Sequence, residues 1–141
     1  MNVIFLDIDG VLNCIRDFQM FGEDYISPLL VGRLDQIVKN TAAKIVLSSS
    51  WRMDPKSRHR VTDALRPFDL EIFSCTPIID MNQRHKEIES WLHSNVVNRF
   101  AILDDDSRAS LPAFKTSFFQ TDPDIGLTQA MVRKAIEHLN V

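Results

Sequence analysis

Three short, mostly apolar runs in this chain each lead directly into a polar residue. The runs are Val3–Leu6, Lys44–Leu47 and Phe100–Leu103, and the residues that follow them are Asp7, Ser48 and Asp104. Runs of this kind are typical of strands buried on both faces, as in the middle of a parallel sheet. A weaker run, Ser117–Phe119, ends near Gln120. The sequence therefore predicts four strands, three of which end in a side chain suited to chemistry.

Helix-like stretches separate these strands. Apolar residues at helical spacing predict helices over about 29–40, 57–65, 84–94 and 127–139. Alternating strands and helices predict an α/β fold with a Rossmann-like, doubly wound parallel sheet, in which ligands bind at the carboxyl ends of the strands. The interval 13–28 is the least regular part and is interpreted as a loop or small flap, too short for a separate lid domain.

Length and composition fit one soluble globular domain over residues 1–141, since 45% of the residues are hydrophobic and 25% are charged. No apolar run approaches the roughly 18 residues of a membrane span, and no basic region precedes the first apolar stretch. We therefore expect a cytoplasmic protein without membrane contact, whose two cysteines are reduced thiols. The net charge of −3 gives no indication of nucleic-acid binding by bulk charge.

Acidic residues follow the first and the third of the buried strands. In an extended chain Asp7 and Asp9 point the same way, and Gly10 then allows a tight turn. If the strand before the triplet Asp104–Asp106 is a neighbour, carboxylates converge, and two of them about 5 Å apart repel by roughly 3 kcal/mol at an effective dielectric near 20. A hard cation such as Mg²⁺ would relieve this repulsion. The alternative, a plain turn and a solvated acidic loop, is disfavoured by the shared strand context.

Carboxylates around Mg²⁺ suggest phosphoryl chemistry, with one Asp as nucleophile and a second carboxylate two residues on as acid and base. Ser48 offers a hydroxyl and an N–H to a phosphate, although an N-cap or a plain loop would also explain it. Ser49 and Arg52 are candidate substrate-binding residues, with a surface position as the alternative for Arg52. Arg84 and Lys86 compete for the role of a further cation at a helix start, or belong to a solvated basic turn.

These motifs resemble the haloacid dehalogenase-like (HAD) phosphohydrolase superfamily. The first motif is the Asp-x-Asp-Gly-Val of Asp7–Val11, the second is the strand ending in Ser48, and the fourth is the strand ending in Asp104 and Asp105. The third motif, a Lys or Arg near a helix start, is matched by Arg84 or Lys86. The finer pattern resembles the small HAD domains of RNA-repair proteins and of polynucleotide kinase-phosphatase.

The resemblance implies a Rossmann-like sheet with a minimal cap and a metal-dependent phosphatase. It implies that Asp7 is the nucleophile, that Asp9 is the acid/base, and that Mg²⁺ is held by Asp7, the Asp9 backbone carbonyl and Asp104, assisted by Asp105. Ser48 would bind the phosphate, with Arg84 or Lys86 balancing its charge. The implied substrate is a phosphorylated small molecule or a nucleic-acid end.

Other functions stay open at this point. A phosphatase for nucleotides or small metabolites is the first alternative, and a HAD fold used only for binding is another. A receiver-like phospho-acceptor would also combine acids, a Ser or Thr and a Lys on an α/β sheet. Receivers carry the acceptor Asp after a middle strand, however, whereas the middle strand here ends in Ser48. The sequence does not indicate an oligomeric state.

Overall fold

The sheet of this protein has five parallel strands. A computed structural model describes all 141 residues. The strands are β1 (Asn2–Leu6), β2 (Lys44–Leu47), β3 (Ile72–Cys75), β4 (Arg99–Asp104) and β5 (Phe118–Gln120), in the spatial order β3-β2-β1-β4-β5. The strand order reverses direction at β1, which is the feature of doubly wound sheets that opens a crevice for ligands. The predicted α/β fold class is therefore confirmed.

Five α-helices accompany the sheet. They are α1 (Ile15–Phe21), α2 (Pro28–Thr41), α3 (Pro55–Leu65), α4 (Arg84–His93) and α5 (Gln129–Asn140). The bounds of α2 to α5 agree with the predicted helices to within about two residues. Ser27 caps α2 by accepting a hydrogen bond from the Leu30 N–H, and Pro28 occupies the first helical position, where proline is tolerated. None of the five helices is long and apolar enough to cross a membrane.

Alternate residues of the central strands supply two separate cores. On one face Ile4 and Leu6 of β1 pack with α2, α3 and α5 in the larger cluster. On the other face Val3 and Phe5 belong to the smaller cluster, together with Ile88 and Trp91 of α4. This burial on both faces explains why the strand sequences are continuously apolar instead of alternating.

The interval predicted as a loop or small flap contains a short helix. Helix α1 has seven residues, none of them buried, and its first turn is closed by Asp17, whose carboxylate accepts a hydrogen bond of 3.1 Å from the Cys14 N–H. Because α1 buries no apolar stripe, the sequence pattern does not reveal it. The cap is minimal, as predicted, since this is the only helix between β1 and α2.

The sequence pattern also failed to predict β3. It is an edge strand of four residues whose side chains are half-buried or exposed, so it lacks the continuous apolar run that marks β1, β2 and β4. Its pairing with β2 shifts register between Ile45 and Val46 and brings Leu47 opposite Cys75. The residue after β3, Thr76, consequently lies beside the end of β2.

Candidate active site

Four polar residues lie at one level at the carboxyl edge of the sheet. Leu6 pairs with Leu47 on one side and with Leu103 on the other. The ladder continues one residue further, because the N–H groups of Asp7 and Ser48 donate to the Leu103 and Leu6 carbonyls, each at 3.0 Å. Thr76 donates in the same way to the Leu47 carbonyl at 3.1 Å. The residues at this level are Asp7, Ser48, Thr76 and Asp104.

These four residues project toward α4. Leu6, Leu47 and Leu103 belong to the larger core, on the face covered by α2, α3 and α5. Since successive side chains of a strand alternate between faces, the residues that follow the leucines face the opposite side. The side chains of Asp7 after β1, Ser48 after β2 and Asp104 at the end of β4 therefore lie on the face of the sheet where α4 begins.

Three carboxylates meet at this edge. Asp7, Asp104 and Asp105 each offer an oxygen within 4.8 Å of the others, and the first two are buried. Burial raises the pKa of Asp7 well above its usual value, and the neighbouring Asp104 carboxylate raises it further. Burial also raises the pKa of Asp105. Because the cluster supplies only oxygen ligands and carries excess negative charge, it fits a hard divalent cation such as Mg²⁺.

Gly10 allows the acidic loop to approach the first motif. Its φ of 79° lies in the left-handed region that glycine tolerates. A Cβ at this position would collide with the carboxyl group of Asp105, whose Cγ would be 2.7 Å away. The glycine is therefore needed both for the turn after Asp9 and for the space that Asp105 occupies.

The structure distinguishes the two candidate cations of the third motif. Arg84, the first residue of α4, places Nη1 at 3.3 Å from Asp7 Oδ1 and at 2.6 Å from Asp104 Oδ2. Burial alone would lower the Arg84 pKa, but the Asp7 and Asp104 carboxylates outweigh that effect and raise it. Lys86 is exposed and forms no ion pair. Of the two cations, only Arg84 contacts the acidic cluster.

The carboxylate of Asp9 lies apart from the three-aspartate cluster and is held by two donors. Asn13 Nδ2 donates to Oδ1 and Trp51 Nε1 donates to Oδ2, both at 3.1 Å. The Asn13 side-chain carbonyl oxygen in turn accepts a hydrogen bond of 2.9 Å from the Gly10 N–H. The sequence motifs did not single out Asn13, although an amide placed right after a glycine turn is a common partner for the turn backbone.

The hydroxyl of Ser48 has no partner within the protein. Its Oγ is buried and forms no hydrogen bond, and the Thr76 hydroxyl shares this property. An unpaired buried hydroxyl is costly, so such a group in a native site points to a ligand or water that completes its hydrogen bonding. Ser48 is thus available to a bound anion at the level of Asp7.

The two candidate substrate-binding residues are occupied by protein contacts. The Ser49 hydroxyl accepts a hydrogen bond of 3.1 Å from the Trp51 N–H and caps the 3-10 turn Ser50–Met53. Arg52 is 5% exposed, and its five N–H groups all have protein acceptors. No free N–H group remains on Arg52 to support its interpretation as a fork for substrate.

The fold and the polar groups at the sheet edge together define the HAD-like class of α/β domains. A family model described as the HAD domain in Swiss Army Knife RNA repair proteins matches residues 3–132. The match spans most of the sequence, so the chain belongs to this family, and the resemblance inferred from the motifs is confirmed. No curated protein matches the chain. The family indicates a hydrolase of the phosphatase type.

Proposed function

We propose that this protein is a Mg²⁺-dependent phosphomonoester hydrolase that works through an aspartyl-phosphate on Asp7. One observation carries the proposal: Asp7, Ser48 and Asp104 end three adjacent strands at the same level, and Arg84 lies against two of them. This placement supports Asp7 as the nucleophile, Ser48 as the phosphate-binding hydroxyl and Arg84 as the compensating cation. Phosphoryl transfer depends mainly on such positioning and charge stabilisation.

The chain's own residues account for both halves of the reaction. In the first half a carboxylate oxygen of Asp7 attacks the phosphorus, the bond to the leaving oxygen breaks, and Asp9 gives that oxygen its proton. In the second half Asp9 takes a proton from water, the water oxygen attacks the phosphorus, and Asp7 is released together with inorganic phosphate. The Ser48 hydroxyl and the Arg84 guanidinium hold the phosphoryl oxygens throughout.

The proposed metal ligands are Asp7, the Asp9 backbone carbonyl and Asp104, with Asp105 assisting. Bound there, Mg²⁺ supplies charge neutralisation for the carboxylate cluster and the phosphoryl oxygens. Arg84 forms ion pairs with Asp7 and Asp104, so the cluster already holds one positive charge. Arg84 provides one positive charge, whereas three carboxylates lie within 4.8 Å of one another, so the cluster can still accommodate the charge of a further cation.

The surroundings of Asp9 support a bulky leaving group. Asp9 borders an open depression of about 310 Å³ that Phe18 and Glu23 also line. Because α1 is the only helical element of the cap, a nucleic-acid end could enter, and the family description favours such a substrate. The alternative substrate is a nucleotide or a small phosphorylated metabolite. We further propose that residues 1–141 act as one domain in the cytoplasm.

Steady-state assays with p-nitrophenyl phosphate test the proposed reaction. The protein is expected to hydrolyse this ester with Mg²⁺ and to lose activity in EDTA. Asp7→Asn should reduce kcat by at least about a thousandfold, because it removes the nucleophile. The matched control is Asp106→Asn, which alters an acid of the same triplet that pairs with Arg108 outside the cluster. Activity that survives in Asp7→Asn excludes Asp7 as the nucleophile, and activity in EDTA excludes the metal requirement.

A second assay separates the two substrate classes. Oligonucleotides with a 5′- or 3′-phosphate are compared with the corresponding mononucleotides at several salt concentrations. A higher kcat/KM for the oligonucleotides that falls as salt rises indicates contacts with a polyanionic backbone. Equal values that do not respond to salt indicate the nucleotide or metabolite alternative.

A further inference from the structure

A buried ion pair lies beside the proposed active site. Arg52 Nη2 is 2.9 Å from Glu87 Oε1, and both side chains are almost completely shielded from water. Replacing such a pair by apolar residues is often neutral or stabilising, because burying two charges costs about as much as their attraction returns. A contribution to folding stability therefore does not by itself account for this pair.

The hydrogen bonds of Arg52 join two strand ends. Its Nη1 donates to the carbonyls of Ser48 and Ser49 at 3.0 and 2.8 Å. Its Nε and Nη2 donate to the carbonyls of Thr76 and Pro77 at 3.0 and 3.2 Å. One rigid guanidinium thus fixes the backbone after β2, which carries Ser48, against the backbone after β3.

Glu87 connects this guanidinium to α4. Its second carboxylate oxygen accepts a hydrogen bond of 2.7 Å from the Ile79 N–H, in the segment that leads into the helix. Glu87 is three residues after Arg84, so the two side chains lie on neighbouring positions of one helix face. Contacts of Glu87 consequently restrain the helix turn from which Arg84 reaches Asp7 and Asp104.

We propose that Arg52 and Glu87 are positioning residues that set Ser48 and Arg84 at the spacing needed to hold one phosphoryl group. This inference rests on the proposed function, because it assigns both residues to the phosphate site of the same reaction. A phosphate must meet the β2 hydroxyl and the α4 guanidinium together, and a displacement of about 1 Å can cost about a hundredfold in rate. The Asp7–Asp104–Asp105 cluster comes from the end of β4 and from the residues that follow β1 and β4, and neither Arg52 nor Glu87 contacts it.

Two conservative variants test the proposal. Arg52→Lys keeps the positive charge beside Glu87 but replaces a planar fork of five donors with a point charge. Glu87→Gln keeps the side-chain length and an acceptor for Ile79 but removes the negative charge. Isothermal titration measures the affinity of each variant for inorganic phosphate in saturating Mg²⁺, and separately its affinity for Mg²⁺. Thermal melts establish that each variant is folded at the assay temperature.

The expected result is a selective loss. In Arg52→Lys, phosphate affinity and kcat should each fall about tenfold or more. In Glu87→Gln both should fall by a smaller factor. The Mg²⁺ affinity of both variants should stay within about twofold of the wild type. The control is the exposed pair Asp63 and Arg66, altered to Asp63→Asn and Arg66→Lys, which should change none of these values. Phosphate affinity within twofold of wild type in a folded Arg52→Lys overturns the proposal, as does an equal loss of phosphate and Mg²⁺ affinity.

A third measurement separates this inference from the proposed function. If the wild type hydrolyses no phosphomonoester, the proposed function fails, yet the restraint on the backbone can still be measured by hydrogen exchange. We expect faster exchange of the Ser48–Arg52 amides in both variants, because Arg52 holds the backbone of this segment through the Ser48 and Ser49 carbonyls. Unchanged exchange at these amides overturns the positioning role whether or not the protein is active. If Arg52→Lys does not fold, the double variant Arg52→Met/Glu87→Leu takes its place, because it leaves no buried charge unpaired. The same measurements on that variant then support or overturn the proposal.

Discussion

The indole Nε1 of Trp51 donates a hydrogen bond of 3.1 Å to Oδ2 of Asp9. The Trp51 side chain is buried, with only 8% of the residue exposed, so it packs inside the protein and cannot stack on a substrate base. Asn13 restrains the other oxygen of the same carboxylate. The proposed acid/base is thus held from two sides, by a residue after β2 and by the turn after β1.

The variant Trp51→Phe tests the importance of this restraint. Phenylalanine retains most of the buried ring but has no N–H, so Asp9 loses one of its two donors. We expect kcat for p-nitrophenyl phosphate to fall about tenfold, since an acid must be well oriented to deliver its proton. The free energy of unfolding should fall by only about 1–2 kcal/mol, the cost of a lost hydrogen bond and a smaller ring. Steady-state kinetics and urea unfolding provide the two values.

The chain contains a matched control for this experiment. Trp91 is also buried, and its Nε1 donates a hydrogen bond of 3.0 Å to Ser74 Oγ, while its ring packs edge-on against Phe5. Trp91→Phe should lose similar stability and keep its kcat within about twofold. If both variants lose activity equally, the effect of Trp51→Phe reflects general destabilisation and not the orientation of Asp9.

The parts of the fold that the sequence revealed are those in which local pattern and burial coincide. Strands β1, β2 and β4 are buried on both faces and are therefore continuously apolar, which made them visible. Helix α1 and the edge strand β3 bury little, so no periodicity distinguishes them from loops. Both lie at the edge of the structure, where tertiary contacts determine the backbone conformation.

The site shows the same division. The meeting of Asp7, Asp104 and Asp105 could be predicted, because parallel strands bring their carboxyl ends to one edge. The internal partners of Trp51 and Arg52 could not, since they depend on how the turn after β2 packs against distant segments. Adjacent residues in such a turn offer no periodic signal, so their directions follow only from the tertiary structure.

The variants Arg84→Gln and Lys86→Gln test which of these two residues is the cation of the third motif. Two residues along a helix differ by about 200° in direction, which is why Arg84 faces the acids while Lys86 faces solvent. We expect Arg84→Gln to lower kcat about a hundredfold, because it removes a preorganised cation from the proposed phosphoryl site. Lys86→Gln should stay within about twofold of the wild type. A larger loss in Lys86→Gln than in Arg84→Gln would reverse the assignment.

The variant Gly10→Ala probes the contact between the first motif and the acidic loop. A non-glycine residue at positive φ costs about 1–2 kcal/mol, and the new methyl group would also displace the Asp105 carboxyl. We expect a lower melting temperature together with a several-fold weaker affinity for Mg²⁺ in titration calorimetry. Gly22→Ala is the matched control, because Gly22 also has a positive φ but no atom within 4 Å of its added Cβ. It should lose stability and keep its Mg²⁺ affinity, and a loss of affinity in both variants would contradict the assignment.

In the metal-free protein the contribution of Asp7 to folding stability should fall as pH rises. Burial, and the Asp104 charge beside it, raise the pKa of Asp7 above its unfolded value, so between those two pKa values the folded state binds more protons than the unfolded state. The contribution of Asp7 to stability is then greatest below the ordinary Asp pKa and is lost as pH rises through the raised pKa, by about 1.4 kcal/mol for each pH unit that separates the folded and unfolded pKa values. Melting temperatures in EDTA should show this contribution as a steeper decline in the wild type than in Asp7→Asn, which keeps only the smaller contribution of Asp105. Mg²⁺ at about 100 times its dissociation constant should add about 2.7 kcal/mol to the free energy of unfolding.

A wild-type decline no steeper than that of Asp7→Asn would show that ionising Asp7 does not destabilise the folded protein.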